Sequence, residues 1–260
     1  MSSLSDLELE RYSRQLVLRE WSGEAQERLR GASAIVVGAG ALGSPAATYL
    51  AAAGIGTIGI VDSGSVELSN LHRQPLHYTP DLDLPKVTTA AVKLRALNPE
   101  VQVEEYHARV DDGNAEAIVA GASVVLDCSD SFETRYTVND ACCAQGVPLV
   151  SGAVLGFAGQ VMSVVPGRSA CYRCVFATPP PAGSVPSCRE AGVLGATAGI
   201  VGSIQALEAI KLVTGVGRAL LDRILHVDAL AMEQTLVATR RRDGCPACAR
   251  VPAAPQSVGT

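Results

Sequence analysis

The stretch SAIVVGAGALGSPAATYLAAAGIGTIGIVD (33–62) decides the fold. Ser33 to Val37 is an apolar run closed by Gly38, and it reads as a strand. Residues 42–53 read as a helix stopped by Gly54 and Gly56, and Thr57 to Val61 as a second strand. Strand, glycine turn, helix and strand follow one another within about thirty residues, the length of one βαβ unit. Residues 38–43, GAGALG, fit G-x-G-x-x-G in the setting that gives the pattern meaning, after a strand and opening a helix. Gly38, Gly40 and Gly43 allow a tight turn and a close approach of backbone N–H groups to phosphate oxygens, beside the positive end of a helix. Asp62 ends the next strand, about twenty residues on, where an acid accepts hydrogen bonds from ribose hydroxyls. Together these residues predict a nucleotide site without naming the nucleotide.

The alternation continues on both sides. Residues 5–20 read as one charged amphipathic helix with Leu9, Tyr12, Leu16 and Trp21 near one face, and a second helical piece ends at Gly31. Downstream, Lys86 to Leu97, residues 114–120 and residues 133–145 read as helices. Val101 to Tyr106, Ser123 to Asp127 and Val147 to Ser151 read as strands between and after them. Such repetition predicts an α/β fold with a Rossmann-like, doubly wound, mostly parallel sheet. After residue 151 the pattern changes to an antiparallel extension: Gly159 to Val165, then strands near 222–228 and 233–239. A Pro-rich loop at 178–188 and a long Gly/Ala-rich helix from Ala191 to Val213 lie between them. No internal repeat or linker is visible, so 1–260 is expected as one domain. Residues 1–30 would form N-terminal helices, 31–151 the nucleotide-binding half, 152–250 a second half and 251–260 a tail.

Composition narrows the function classes. The chain has 260 residues, 48% apolar and 18% charged, which excludes wholesale disorder. Its net charge of −5 and the lack of a basic stripe argue against nucleic acid as a partner. Two long stretches, Gly31 to Val61 and Ala141 to Gly167, carry no charge, but glycines and prolines interrupt both. They read as buried strands joined by turns rather than as membrane spans. The acidic start, MSSLSDLELE, is not a signal peptide, so a cytoplasmic location is expected.

Past Asp62 lies a dense polar run, Ser69-Asn70-Leu71-His72-Arg73-Gln74, followed by Lys86 behind Pro85. Asp130 and Ser131 follow the strand that ends at Asp127. In a doubly wound sheet these residues fall at the carboxyl ends of strands, on the ligand side. Hydride transfer needs no cluster of cations, whereas attack of an anion on a polyphosphate does. Arg73 and Lys86 therefore point to ATP with chemistry at the α-phosphate, and Asp130 suits a Mg²⁺ ligand. Eight cysteines in a chain without an export signal argue for metal or thiol chemistry over disulfides. Cys171-x-x-Cys174 and Cys245-x-x-Cys248 have the spacing of a closed four-cysteine zinc site that would tie the C-terminal segment back. Two separate redox pairs are the competing reading. Cys128, Cys142 and Cys143 sit on apolar elements and read as buried thiols. Cys188 lies in the Pro-rich loop beside Arg189 and ahead of a helix, which favours a reactive thiolate. His72, His77, His107 and His226 show no ligand spacing and are read as structural or surface residues.

These landmarks resemble the ThiF/MoeB/HesA group, bacterial relatives of the ubiquitin-activating enzymes. The resemblance runs through RYSRQ (11–15), GAGALG (38–43), VELSNLHRQ (66–74), Pro85-Lys86, LDCSD (126–130), CYRC (171–174), CREAGVLG (188–195), GSIQALEAIKL (202–212) and GCPAC (244–248). RYSRQ, AGVLG and GCPAC lean slightly toward the thiamine-pathway ThiF over the molybdopterin-pathway MoeB. The resemblance implies adenylation of the C-terminal glycine of a small ubiquitin-like sulfur carrier ending in Gly-Gly, with Mg-ATP as co-substrate. It implies that Asp62 holds the ribose, that Asn70, Arg73 and Lys86 handle phosphates, that Asp130 binds Mg²⁺, and that Ser69 and Ser131 belong to the nucleotide site. It also implies that Arg14 reaches the nucleotide of a partner protomer in a homodimer. Cys171, Cys174, Cys245 and Cys248 would hold Zn²⁺, and Cys188 would lie on a crossover loop as a second-stage nucleophile. The sulfur donor would be a separate protein, a cysteine desulfurase or a rhodanese-like protein. Three positions depart from the group's pattern: Ala41 replaces a glycine, Gly64 an acid and Ser131 an asparagine. Two other classes compete: an NAD(P)-dependent oxidoreductase, which leaves the cations idle, and a non-catalytic module that only binds a ubiquitin-like protein.

Overall fold

Successive residues of each central strand enter different apolar cores, because side chains alternate across a sheet. The computed structural model describes residues 4–181, 183–184, 188–249 and 251. In chain order the elements are α1 (Asp6–Arg11), α2 (Ser13–Leu16), α3 (Gly23–Arg30), β1 (Ser33–Val37), α4 (Gly43–Ala53) and β2 (Thr57–Val61). Next come α5 (Lys86–Leu97), β3 (Gln102–Tyr106), α6 (Ala115–Val119), β4 (Val124–Asp127), α7 (Phe132–Gln145), β5 (Leu149–Leu155) and β6 (Ala158–Val164). The remainder is α8 (Tyr172–Val175), α9 (Cys188–Ala191), α10 (Gly195–Thr214), β7 (Arg223–Asp228) and β8 (Glu233–Ala238).

Among the described residues the eight strands form one sheet in the order β3-β2-β1-β4-β5-β6-β7-β8. From β3 to β5 neighbours are parallel, and from β5 to β8 they are antiparallel. This is the expected doubly wound sheet with its antiparallel extension. Ala34, Val36, Ile58, Ile60 and Leu126 pack on one face with α4, α5 and α10. Ile35, Val37, Val61, Val125 and Leu149 pack on the other with α6, α7 and the cysteine cluster. Each fully buried Leu or Ile contributes about 1.5–3 kcal/mol relative to exposure.

Three local departures from the sequence reading have visible causes. Residues 5–20 are not one helix. Ser5 and Glu8 form a reciprocal cap on α1, but the chain breaks at Tyr12 (φ −95°, ψ 10°). The buried Tyr12 ring fills the space beside Gly54, and its hydroxyl accepts a hydrogen bond from Asn98 Nδ2 at 2.9 Å. Leu9, expected on the buried face, is exposed. Second, β5 runs on to Leu155, because β6 pairs along its whole length. Third, the long helix starts at Gly195 rather than at residue 191. Gly192 turns through positive φ (75°) after α9, and Val193 bridges to Gly156 before α10 begins.

By length and composition α10 could cross a membrane, but here it packs against α4, β5 and β6. Its crossing with α4 depends on Gly202, where an added Cβ would stand 2.4 Å from the Leu42 carbonyl oxygen and 2.6 Å from Pro45 Cγ. Gly202→Ala should therefore separate the two helices and destabilise the fold by about 1–3 kcal/mol, read as a lower urea midpoint at unchanged slope.

Candidate nucleotide site and cysteine cluster

β1 pairs with β2 on one side and with β4 on the other, so the chain leaves these neighbours in opposite directions. Such a reversal opens a crevice at the strand carboxyl ends. A cavity of about 400 Å³ lies there. Gly38, Gly40, Ala41, Asp62, Arg73 and Lys86 line it, with Asp130 and Ser131 on the facing wall. Residues far apart in sequence thus meet at one place.

The glycine turn is shaped by contact rather than by propensity. A Cβ on Gly43 would lie 1.8 Å from the Gly38 carbonyl oxygen, so only glycine lets α4 start so close to β1. Asp62 clamps the turn: its Oδ2 accepts from Ala39 N (2.8 Å) and its Oδ1 from Gly64 N (2.7 Å). A carboxylate has lone pairs beyond these two bonds, so a ribose hydroxyl can still be received. Lys86 stands next to Gly64, since a Cβ there would approach Lys86 Cε and Nζ to 3.7 Å.

Ser69 and Asn70 do not line the cavity but build the turn that carries Arg73. The Asn70 carbonyl accepts from Arg73 N and Gln74 N, both at 3.0 Å, and the Arg73 guanidinium donates back to Ser69 O at 2.7 Å. Ser131 caps α7 through Thr134 N at 3.1 Å, and Asp130 is exposed in the preceding loop. Arg14 is exposed on α2 and does not line this cavity. The chain at Cys188 opens α9, but the Cys188 side chain lies outside the described residues.

Four residues to which the sequence reading gave no role at the site line or support the cavity. Asp127 is fully buried and accepts from Ser129 N (3.1 Å), Ser129 Oγ (2.6 Å) and Ser151 Oγ (3.0 Å). It thereby fixes the loop that presents Asp130. Arg135 of α7 and Gln74 both line the cavity and are buried. His77 is buried too: its Nε2 lies 2.9 Å from the Ala39 carbonyl and its Nδ1 2.7 Å from Thr89 Oγ1. In the neutral ring Nε2–H donates to Ala39, and Nδ1 accepts from Thr89, one turn beyond Lys86. This imidazole joins the glycine turn to the helix of the cavity lysine, which spacing alone could not show. An acid ending an all-apolar strand was the available signal for Asp127.

The four cysteines form one cluster. Their Sγ atoms all lie within 4.8 Å of one another. Individual separations are 3.8 Å (Cys171–Cys174), 3.6 Å (Cys171–Cys245) and 3.4 Å (Cys174–Cys248). A tetrahedral ion with Zn–S bonds of ~2.3 Å needs S···S edges of ~3.8 Å, so the donor set fits. Burial raises the Cys245 thiol, but bonds from the Cys248 and Ala247 backbone and from Cys171 and Cys174 outweigh it and bring it down to about 7. Burial, then the Asp127 charge, pushes Cys128 and Cys142 up, which keeps them protonated.

A glycine turn at a sheet reversal, a ribose-type acid and a group of lysine and arginine side chains define a nucleotide-binding protein of the doubly wound class. The ThiF family model matches residues 12–247, and the chain belongs to the ThiF family. It is 48% identical over 246 residues to the SAMP-activating enzyme E1 of Haloferax volcanii, covering 95% of this chain and 91% of that protein. It is 47% identical over 250 residues to the sulfur carrier protein adenylyltransferase of Thermus thermophilus, covering 94% and 92%. Among solved structures, E. coli MccB shares the fold with a TM-score of 0.84 at 20% identity, covering 96% of this chain and 75% of that one.

Burial, reinforced by Lys86 and Lys93 and opposed by the Ala39 carbonyl and Asp62, holds His77 below its ordinary value of 6.5. As pH falls the unfolded chain takes up this proton first, so stability is full above about 6.5 and declines toward the lowered native value. Glu8 and Asp81, whose values are also lowered, act only below their ordinary 4.5 and 3.8. Urea midpoints measured from about pH 7.5 to 5.5 should fall in the wild type, and His77→Gln should flatten that dependence.

Proposed function

We propose that this chain adenylates the C-terminal glycine carboxylate of a small ubiquitin-like sulfur carrier, using Mg-ATP and releasing pyrophosphate. The observation that carries the reading is the single cavity that brings a glycine turn and Asp62 together with Arg73, Lys86 and Asp130. Similarity to a protein named as a sulfur carrier protein adenylyltransferase supports it. A nicotinamide site would leave the cations without a task, and a pure binding module would need neither cations nor glycine turn.

The carboxylate is its own nucleophile. One of its oxygens attacks the α-phosphorus, the bond from that phosphorus to the bridging oxygen breaks, and pyrophosphate leaves with the electron pair. No general base is required, because the carboxylate is already ionised at neutral pH. The work left to the chain is positioning and neutralisation of charge. Backbone N–H groups of the glycine turn and the start of α4 face the phosphates, Asp62 receives the ribose, and Arg73 and Lys86 meet the phosphate oxygens. Asp130 would hold Mg²⁺, which offsets phosphate charge when bound. Cys171, Cys174, Cys245 and Cys248 would hold a structural Zn²⁺ that fastens the C-terminal segment to α8.

The exposed position of Arg14 outside its own cavity suits a residue that serves a second protomer, so a homodimer belongs to this reading. Cys188 is assigned a later covalent step, with sulfur supplied by a separate donor protein.

Pyrophosphate exchange into ATP, measured with a panel of Gly-Gly-ending carriers, tests the reaction. One carrier should support exchange, and deletion of its last glycine should abolish it. Arg73→Ala or Lys86→Ala should each lower the exchange rate by about a hundredfold or more. An unchanged rate removes that residue from the mechanism. Purified protein should hold one zinc per chain, and its removal by a strong chelator should lower Tm.

A further inference from the structure

A second cavity of about 580 Å³ adjoins the first. The β5–β6 hairpin forms one wall through Val154, Leu155 and Ala158, and Phe132, Glu190 and His226 contribute to the rest. Among the described residues, Asp130, Ser131, Arg135 and Val154 line both cavities. Among those same described residues, Arg135 is the only Lys or Arg lining the second cavity, and therefore the only one at the junction. Arg73 and Lys86 line the first cavity alone.

The Arg135 side chain is 9% exposed, so its charge is held in a poorly solvated place. Its bonding is incomplete. Nη2 donates to the Ser129 carbonyl at 3.1 Å, and the Tyr172 hydroxyl lies within hydrogen-bond reach of the group. The Asp127 carboxylate comes no nearer to Nε than 3.6 Å, and the serines at 129 and 151 already occupy it. Nε has no hydrogen-bond partner among the described residues. A guanidinium carries five N–H donors, and a buried one left short of acceptors costs stability. Its charge also balances that of Asp127 across 3.6 Å, but this pairing leaves Nε without a hydrogen bond at the meeting point of the two cavities.

We infer that Arg135 receives the carboxylate of the incoming chain where the second cavity opens into the nucleotide cavity. This rests on the adenylation reading above. One carboxylate oxygen accepts from the guanidinium, and the other is left free to face the α-phosphorus. Holding the group by one oxygen restricts its rotation without occupying the nucleophile. It also offsets the repulsion that Asp130 and Glu190 exert on an anion arriving through this cavity. A consequence is selectivity for a free C-terminal acid over a blocked one, because an amide cannot replace the charge-assisted bond.

The test is a two-by-two comparison. The carrier that supports exchange is made with its natural C-terminal acid and as the C-terminal carboxamide. Each is titrated against wild type and Arg135→Gln in the presence of a non-hydrolysable ATP analogue. Wild type should prefer the acid by about tenfold or more, the size of one charged hydrogen bond. Arg135→Gln should bind acid and amide alike. A merely structural role would weaken both ligands together and leave their ratio intact. Retention of the wild-type ratio in the variant, or its absence in wild type, overturns the assignment. Should Arg135→Gln fail to fold, Arg135→Lys keeps the charge but loses the planar fork. Its exchange kcat should fall about tenfold or more at unchanged KM for ATP, and an unchanged kcat overturns the assignment as well. Wild type without carrier-dependent exchange instead overturns the adenylation reading, and with it this inference.

Discussion

The start of α4 lies so close to the end of β1 that no side chain fits between them. Gly43 stands where even a methyl group would collide with the Gly38 carbonyl, and the other elements of the site are arranged around that contact. Because the helix begins at once, the residues leading into it line the crevice. Because the turn is tight, Asp62 at the end of β2 can reach across and bond Ala39. His77 then links the same turn to α5, so the glycine loop and Lys86 are held as one unit. A loop displaced at Gly43 would therefore move both the phosphate cradle and the cation that serves it.

The opposite wall depends on buried polarity. Asp127 carries its charge at the end of an apolar strand, which is affordable only with several donors around it. Ser129 and Ser151 supply hydrogen bonds, and Arg135 supplies the opposite charge. On the far side Gln205 of α10 donates to the Asp127 and Val150 carbonyls, and it lies so close to Gly152 that a side chain there would clash. These bonds secure β4 and β5 where the two cavities meet. The site thus lies where two cavities meet at the carboxyl ends of the strands.

Much of this was legible in the sequence. Periodicity and glycine positions placed the strands and helices around 33–62 within a residue or so, because those segments are buried on both faces and read as continuous apolar runs. Residue chemistry predicted the cation cluster at strand ends, since parallel topology sends those ends to one edge. The two CxxC pairs announced a tetrahedral cluster, although only the fold shows Cys171 beside Cys245 and Cys174 beside Cys248. What stayed hidden depends on tertiary contact. The break at Tyr12 is imposed by Gly54 and Asn98, far away in the chain. Ser69 and Asn70, expected at the phosphates, build the turn that carries Arg73, and His77, read as structural or surface, links the glycine turn to α5. Arg135 drew no reading at all, because burial and a shared cavity wall have no signature in spacing.

The central claim is that the crevice joins a carboxylate oxygen to the α-phosphorus of ATP. Oxygen-18 placed in the C-terminal carboxylate of the carrier tests it directly. After turnover with ATP and cleavage of the activated carrier by hydroxylamine, the account predicts the heavy oxygen in the phosphate of AMP and none in pyrophosphate. Label in inorganic phosphate, or none in any nucleotide product while ATP is consumed, would contradict it.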